Sequence, residues 1–152
     1  MLTWSACEDV FRVDGSLRDI YVRETSLEDW ELFWNFLSGY ERAYFLDHVA
    51  QDLPQSAAVA FAAGQTAAVL LKISLGQLNV HCHFFAVDEI ELDVDPRDVT
   101  GQDELDEVLA FLGDVGRLLD KPVALCWENT PKIAEIMYDP AGDAVILNGD
   151  RQ

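Results

Sequence analysis

Basic side chains are scarce in this sequence. Lysine and arginine together number 10 against 28 aspartates and glutamates in 152 residues, which gives a formal charge of −18. Nucleic-acid binding depends on lysine and arginine that neutralise phosphates, and anionic membranes attract the same side chains. We therefore expect neither nucleic acid nor a membrane as a partner. A large negative field instead favours the approach of a protein with a basic face.

Cysteine is scarce as well, and long apolar runs are missing. The three cysteines, Cys7, Cys82 and Cys126, are an odd number and have no C-x-x-C spacing. This usage is typical of free thiols in a reducing compartment, so the predicted location is the cytoplasm. Apolar runs end well before the roughly 20 residues that a membrane-spanning helix needs. No phosphate-binding glycine loop or dinucleotide fingerprint occurs, and we expect no cofactor.

Acidic residues are absent from one long segment and crowded in the next. Residues 53–87 contain no aspartate or glutamate, whereas ten of the twenty residues 88–107 are acidic. A neutral, apolar stretch beside an anionic one predicts a buried scaffold next to a charged, solvent-exposed surface. The length fits one domain of ordinary size, so we interpret residues 1–152 as a single α+β domain.

Local patterns predict a largely antiparallel sheet packed by two main helices. Asp14-Gly15 is typical of a hairpin turn between two apolar runs. Thr25 and Glu28 have the spacing of a capping box at the start of the first helix. The apolar spacing after Thr100 predicts the second helix. The predicted strands are 10–13, 17–22, 42–49, 66–75, 78–85, 89–95, 122–127, 133–138 and 144–147, and the predicted helices are 25–37, 55–63 and 100–119.

The three strands in the middle of the chain form a meander whose register can be predicted. Gly76-Gln77 suits a two-residue type II′ turn, and residues 86–88 would form a three-residue loop. One face of all three strands is then apolar, whereas a slip by one residue would bury carboxylates. The predicted partners are Leu75–Leu78, Ile73–Val80–Val94, Leu71–Cys82–Leu92 and Val69–Phe84–Ile90.

The opposite face of this meander gathers the polar side chains into rows. The predicted rows are Lys72–His81–Asp93, Leu70–His83–Glu91 and Ser74–Asn79–Asp95. Directly opposed residues of antiparallel strands have Cβ atoms about 4.5–5.5 Å apart. Each of the two histidines is therefore expected to face a carboxylate.

The acidic surface carries the preferred functional hypothesis. In size, in acidity and in its lack of a catalytic motif the chain resembles bacterial toxin-immunity proteins, which cover a basic active site; no sequence motif carries this similarity. We expect a non-enzymatic, immunity- or inhibitor-like binding module for a basic protein. The predicted contact residues are Glu89, Glu91, Asp93 and Asp95, continuing into Asp103, Glu104, Asp106 and Glu107.

A metal-binding module or metal-dependent enzyme is the first alternative. His81 and His83 beside Glu91 and Asp93 offer the imidazole and carboxylate ligands that suit zinc or a non-haem metal. A solvated set of histidine–carboxylate pairs explains the same residues, and no further ligand follows from spacing, so no metal is assigned.

Catalytic motifs are weak, and a structural role is the second alternative. Ser74 has no G-x-S-x-G sequence around it, and Cys126 lies in an apolar run that favours a buried, inert thiol. We assign no catalytic residue and lean against an enzyme. An open sheet edge or the aromatic first helix could instead join the chain to an assembly.

Overall fold

The computed structural model describes residues 1–148, which adopt the predicted α+β fold. A nine-stranded antiparallel sheet is packed by four helices in this part of the chain. The helices are α1 (Trp4–Cys7), α2 (Leu27–Phe36), α3 (Ala57–Ala63) and α4 (Gln102–Leu119). The strands are β1 (Arg18–Arg23), β2 (Arg42–Leu46), β3 (Val49–Gln51), β4 (Val69–Leu75), β5 (Leu78–Ala86), β6 (Glu89–Val94), β7 (Val123–Trp127), β8 (Ala134–Asp139) and β9 (Ala144–Leu147).

The strand order places the predicted meander at the centre of the sheet. The order is β3-β2-β4-β5-β6-β1-β7-β8-β9, and every neighbouring pair is antiparallel. Strand β1 lies between β6 and β7, so the first strand of the chain joins the meander to the last three strands. The sequence left the placement of those last strands open.

The helices cover one face of the sheet. Their buried residues, such as Trp30 of α2 and Leu112 of α4, share one core with the inward-facing Ile73, Leu92 and Ile20. In the strands of the meander, residues of this face alternate with less buried ones. The other face, called the open face below, has one small cluster of buried apolar residues within the described chain, formed by Tyr21, Ala124 and Cys126. Within residues 1–148, no helix has the length and apolarity that crossing a membrane requires.

The predicted register is confirmed for most of the meander, but the predicted pairs Val69–Phe84 and Phe84–Ile90 do not form in the ladder. The pairs Leu71–Cys82, Ile73–Val80, Cys82–Leu92 and Val80–Val94 all occur. Gly76 has a φ of +61°, as the first central residue of a type II′ turn requires.

The loop between β5 and β6 has two residues, so the predicted three-residue loop is wrong. Ala86 pairs with Glu89, so only Val87 and Asp88 form the loop, and the register shifts between His83 and Ala86. Strand β5 thus carries one extra residue, a β-bulge.

The predicted first hairpin is wrong, because residues 8–11 form a 3₁₀ helix and no strand. The buried side chain of Arg18 supplies the hydrogen bonds that a ladder would have made. Its guanidinium donates to the carbonyls of Val10 and Arg12 and lies 3.9 Å from the ring centroid of Trp127. One arginine can satisfy several carbonyls at once, which strand patterns cannot reveal.

The predicted strand 42–49 is also wrong, since it divides into β2 and β3. Asp47 and His48 both have positive φ, +49° and +68°. Positive φ at two successive residues is the signature of a type I′ hairpin turn, to which aspartate and histidine are better suited than most residues.

Both main helices begin one or two residues later than predicted. Ser26 and Asp29 form the capping box of α2, while the hydroxyl of Thr25 donates to the carbonyl of Val87 at 2.7 Å. Helix α4 begins after Gly101, and Thr100 donates to the carboxylate of Glu104. Neighbouring polar residues compete for a cap, and tertiary contacts decide between them.

Candidate functional site

The open face holds the predicted rows of polar side chains. Lys72 opposes His81, which opposes Asp93, and in the next row His83 opposes Glu91. Ser74 opposes Asn79, and their side chains lie 3.3 Å apart. Those pairings are confirmed. Asp95 is not in a row, because β6 ends at Val94.

Strand β1 adds residues that the sequence analysis missed. Asp19 opposes Asp93, Tyr21 opposes Glu91, and Arg23 opposes Glu89. The alternation of Asp19, Tyr21 and Arg23 with apolar residues does mark one face of β1. It cannot identify the neighbouring strand, because β1 and β6 are far apart in sequence and no turn joins them. We call His81, His83, Glu91, Asp93 and Asp19 the His–carboxylate cluster.

Asp93 is the centre of the His–carboxylate cluster and is only 8% exposed. His83 Nε2 lies 2.6 Å from Asp93 Oδ2, and His81 Nδ1 lies 3.4 Å from Asp93 Oδ1. Burial by itself would raise the pKa of Asp93, but the contacts with His81 and His83 outweigh it, so the pKa of this carboxyl lies below its usual value. The hydrogen bond to Asp93 likewise raises the pKa of His83 against the effect of burial. The pair therefore favours an ionised carboxylate beside a protonated imidazole.

The two other carboxylates of the cluster shift in the opposite direction. Burial raises the pKa of Asp19, and the negative charge of Asp93 adds to the shift. Burial also raises the pKa of Glu91, with a further contribution from Asp19. Asp19 accepts hydrogen bonds from the hydroxyl of Tyr21 at 3.1 Å and from the backbone N–H of Asn129 at 3.3 Å. The open face thus holds one strongly ionised carboxylate beside two whose ionisation is opposed.

The cluster does not have the geometry of a metal centre. Its two imidazoles both turn to Asp93 and use one nitrogen each on it. Across residues 1–148, no group of three or more histidine, cysteine, aspartate or glutamate side chains is arranged to hold a metal ion.

The cysteines do not have the environment of a reactive nucleophile. Cys7, Cys82 and Cys126 are free and buried. Burial raises the pKa of the Cys126 thiol to about 11, so little thiolate exists near neutral pH.

The eight acidic residues predicted to bind a partner lie in two separate places. Glu91 and Asp93 belong to the cluster on the open face, and Glu89 lies 3.9 Å from Arg23. Asp95 pairs with Arg97 at 2.6 Å. The four acids of α4 lie on the helix-covered side of the sheet, because the apolar residues between them enter the main core. The sequence-based expectation of one continuous acidic row is wrong, since alternation along β6 and the path into α4 place the two groups on opposite faces.

The acidic group on α4 is more accessible than the one on β6. Asp103, Asp106 and Glu107 are exposed, and Glu104 is half-buried. Asp106 accepts a hydrogen bond from Gln102, and Glu104 accepts from Thr100. None of the four lies within 4 Å of a lysine or arginine nitrogen in the described part of the chain.

A comparison of the chain with protein-family models, with curated proteins and with solved structures found no match.

Proposed function

We propose that the protein is a non-enzymatic binding module for a basic protein, and that the acids of α4 form the centre of its contact surface. The surplus of exposed carboxylates carries this proposal. Seven carboxylates of residues 1–148 lie within 4.0 Å of a lysine or arginine nitrogen, against 27 acidic residues in the same range. Most acidic side chains of this range thus have no lysine or arginine nitrogen within 4.0 Å, and those that are also exposed can meet a partner.

The burial of Asp93 and the pairing of Asp95 move the proposed contact away from β6. A carboxylate that already accepts from two histidines would have to lose those bonds to bind a partner. Asp106 accepts only one such bond, from Gln102, and Asp103 and Glu107 accept none from another side chain within residues 1–148. All three lie at the start of an 18-residue helix. Exposed charges of this kind mainly accelerate association, and their effect weakens as the salt concentration rises.

The test compares two variants that remove the same charge. The first changes Asp103, Glu104, Asp106 and Glu107 to the corresponding amides. The control changes Glu28, Glu41, Asp52 and Asp88, which are exposed and form no ion pair within the described residues. Unfolding in urea shows whether both variants retain the fold, since acids in the first turn of a helix stabilise it by about 0.3–1 kcal/mol each.

Proteins captured from the cell extract at low salt are identified and the purified pair is measured by surface plasmon resonance. We expect one basic protein whose association rate falls about tenfold or more with the α4 variant and changes little with the control. Equal loss with both variants would mean that only net charge matters, and unchanged binding to the α4 variant would place the contact elsewhere. Either result overturns the proposed surface, and the recovery of no basic partner at low salt overturns the function.

A further inference from the structure

A groove on the open face lies beside the His–carboxylate cluster, between the β2–β3 turn and strands β4 and β5. Its volume is 480 Å³, within the range of about 300–1,000 Å³ that is typical of small-molecule sites. Phe45 and Leu70, which are direct cross-strand neighbours, contribute apolar surface. Phe85, a residue that is 73% exposed, stacks its ring on His83 with the centroids 5.0 Å apart and the planes at 7°.

The polar lining of the groove consists of basic residue types, which is unusual for this chain. All three histidines of the sequence, His48, His81 and His83, line it together with Lys72, and no aspartate or glutamate does. Three other cavities of the described chain each include a carboxylate. A protein with a formal charge of −18 therefore has a local surface with the donors that an anion requires.

These donors are available for a ligand. Lys72 forms no ion pair and no side-chain hydrogen bond within residues 1–148. His81 and His83 each use one ring nitrogen on Asp93, which fixes the two rings and leaves the second nitrogen of each unused by it. Asp93 itself is buried and does not line the groove, so it holds the two imidazoles without repelling an anion directly at the groove surface. A donor fixed by a second hydrogen bond loses less entropy when it binds a ligand.

We propose that this groove binds a small aromatic carboxylate. The aromatic body lies against Phe45, Leu70 and Phe85, and the carboxylate pairs with Lys72 beside the imidazoles of the lining. Stacking and burial of the ring supply affinity, while the charge-assisted hydrogen bonds select for the anion. The proposal does not depend on a protein partner, because the groove and the acids of α4 lie on opposite sides of the sheet.

Calorimetric titration with 3-phenylpropionate tests the ligand class. Its matched controls are 3-phenylpropan-1-ol, which keeps the ring and lacks the charge, and propionate, which keeps the charge and lacks the ring. We expect saturable binding of 3-phenylpropionate and binding about tenfold or more weaker for each control. Equal affinity for the alcohol, or no saturable binding of 3-phenylpropionate below about 1 mM, overturns the proposal.

Two variants locate the site. Lys72→Met removes the charge and keeps an unbranched side chain, and it is expected to weaken 3-phenylpropionate binding about tenfold. Lys132→Met makes the same change in charge at an exposed lysine outside the groove, and it should leave the affinity unchanged. Phe85→Ala, at a position exposed enough to spare the fold, should also weaken binding. Equal effects of the two lysine variants, or normal binding by both Lys72→Met and Phe85→Ala, would place the ligand elsewhere.

Discussion

At the scale of single residues, Asp93 has the most unusual environment on the open face. The predicted register gives each histidine a carboxylate of its own, yet both histidines turn to Asp93. His83 reaches it on the diagonal, past its direct partner Glu91, which is within the range of diagonal neighbours in antiparallel strands. Asp93 is the more buried carboxylate, and a hydrogen bond to a buried charge is stronger than one to a solvated charge.

The pair of His83 and Asp93 should make stability depend on pH. The pKa of Asp93 is lowered in the folded state, so its contribution exists above an unfolded pKa of about 3.9 and is lost as the pH falls. The pKa of His83 is raised, so its contribution exists below an unfolded pKa of about 6.5 and is lost as the pH rises. Both contributions are present between about pH 4 and 6.5. We expect the free energy of unfolding in urea to fall between pH 6 and 8.5.

Other groups face the same imidazole, so variants are needed to isolate this effect. Glu91 and Asp19 act on its charge, and Lys72 and His81 line the same groove. His83→Gln keeps a donor but cannot titrate, and Asp93→Asn removes the charge that raises the pKa of His83. Each should flatten the decline between pH 6 and 8.5 relative to the unaltered protein. If the decline is as steep in both variants, its source is a different group.

At the scale of elements, α4 and β8 pack too closely for a side chain at one position. A Cβ atom at Gly116 would lie 2.1 Å from Cδ2 of Tyr138. The ring cannot easily move, because it is buried and its hydroxyl donates to Asp143, which also accepts from Arg117. Glycine is therefore required here by the approach of the sheet, since the helical backbone itself would prefer alanine.

Gly116→Ala should destabilise the protein, although alanine is the better helix former. We expect overpacking to lower the free energy of unfolding by about 1–3 kcal/mol. Gly113→Ala is the matched control in the same helix, because its nearest neighbour is the flexible end of Arg117 at 3.0 Å. That variant should be unchanged or up to about 1 kcal/mol more stable. Urea unfolding of both variants measures the difference in their free energies of unfolding. A Gly116→Ala protein as stable as Gly113→Ala would contradict the predicted overpacking.

The elements themselves were predictable where a local pattern determines them. Period-two alternation and the Gly76 turn determine β4, β5 and most of β6, and the short helix before Gly64 follows from its alanine-rich sequence. The predictions failed at residues 8–11 and at Asp47-His48. There a buried arginine and a positive-φ turn replace the expected strand, and neither has a periodic signal.

At the scale of the whole molecule, charge is the dominant feature. Three lysines and seven arginines cannot balance 28 acids, and the exposed pairs that do form contribute little each. The folded chain holds this net charge in a smaller volume than the unfolded chain does, so self-repulsion destabilises the compact state.

Added salt should therefore stabilise the fold. The Debye length falls from about 30 Å at 0.01 M to about 8 Å at 0.15 M, which screens repulsion between distant carboxylates. We expect the free energy of unfolding in urea, an uncharged denaturant, to rise over this range of sodium chloride at pH 7. A decrease would mean that local ion pairs such as Arg97–Asp95 outweigh the net repulsion.

The α+β class, most of the register of the meander and the rows that contain His81, His83, Glu91 and Asp93 all followed from local patterns. These features are predictable because each depends on alternation and on turns between residues close in the chain. Three arrangements became visible only in the folded chain: β1 lies beside β6, both histidines share Asp93, and the acids of α4 lie on the opposite side of the sheet. Those arrangements arise from contacts between distant segments, and no local pattern encodes which strand is the neighbour of β1. The groove in the acid-poor segment also depends on contacts between distant residues. Strand β2 and the turn after it place Phe45 and His48 beside Lys72 and so complete the lining.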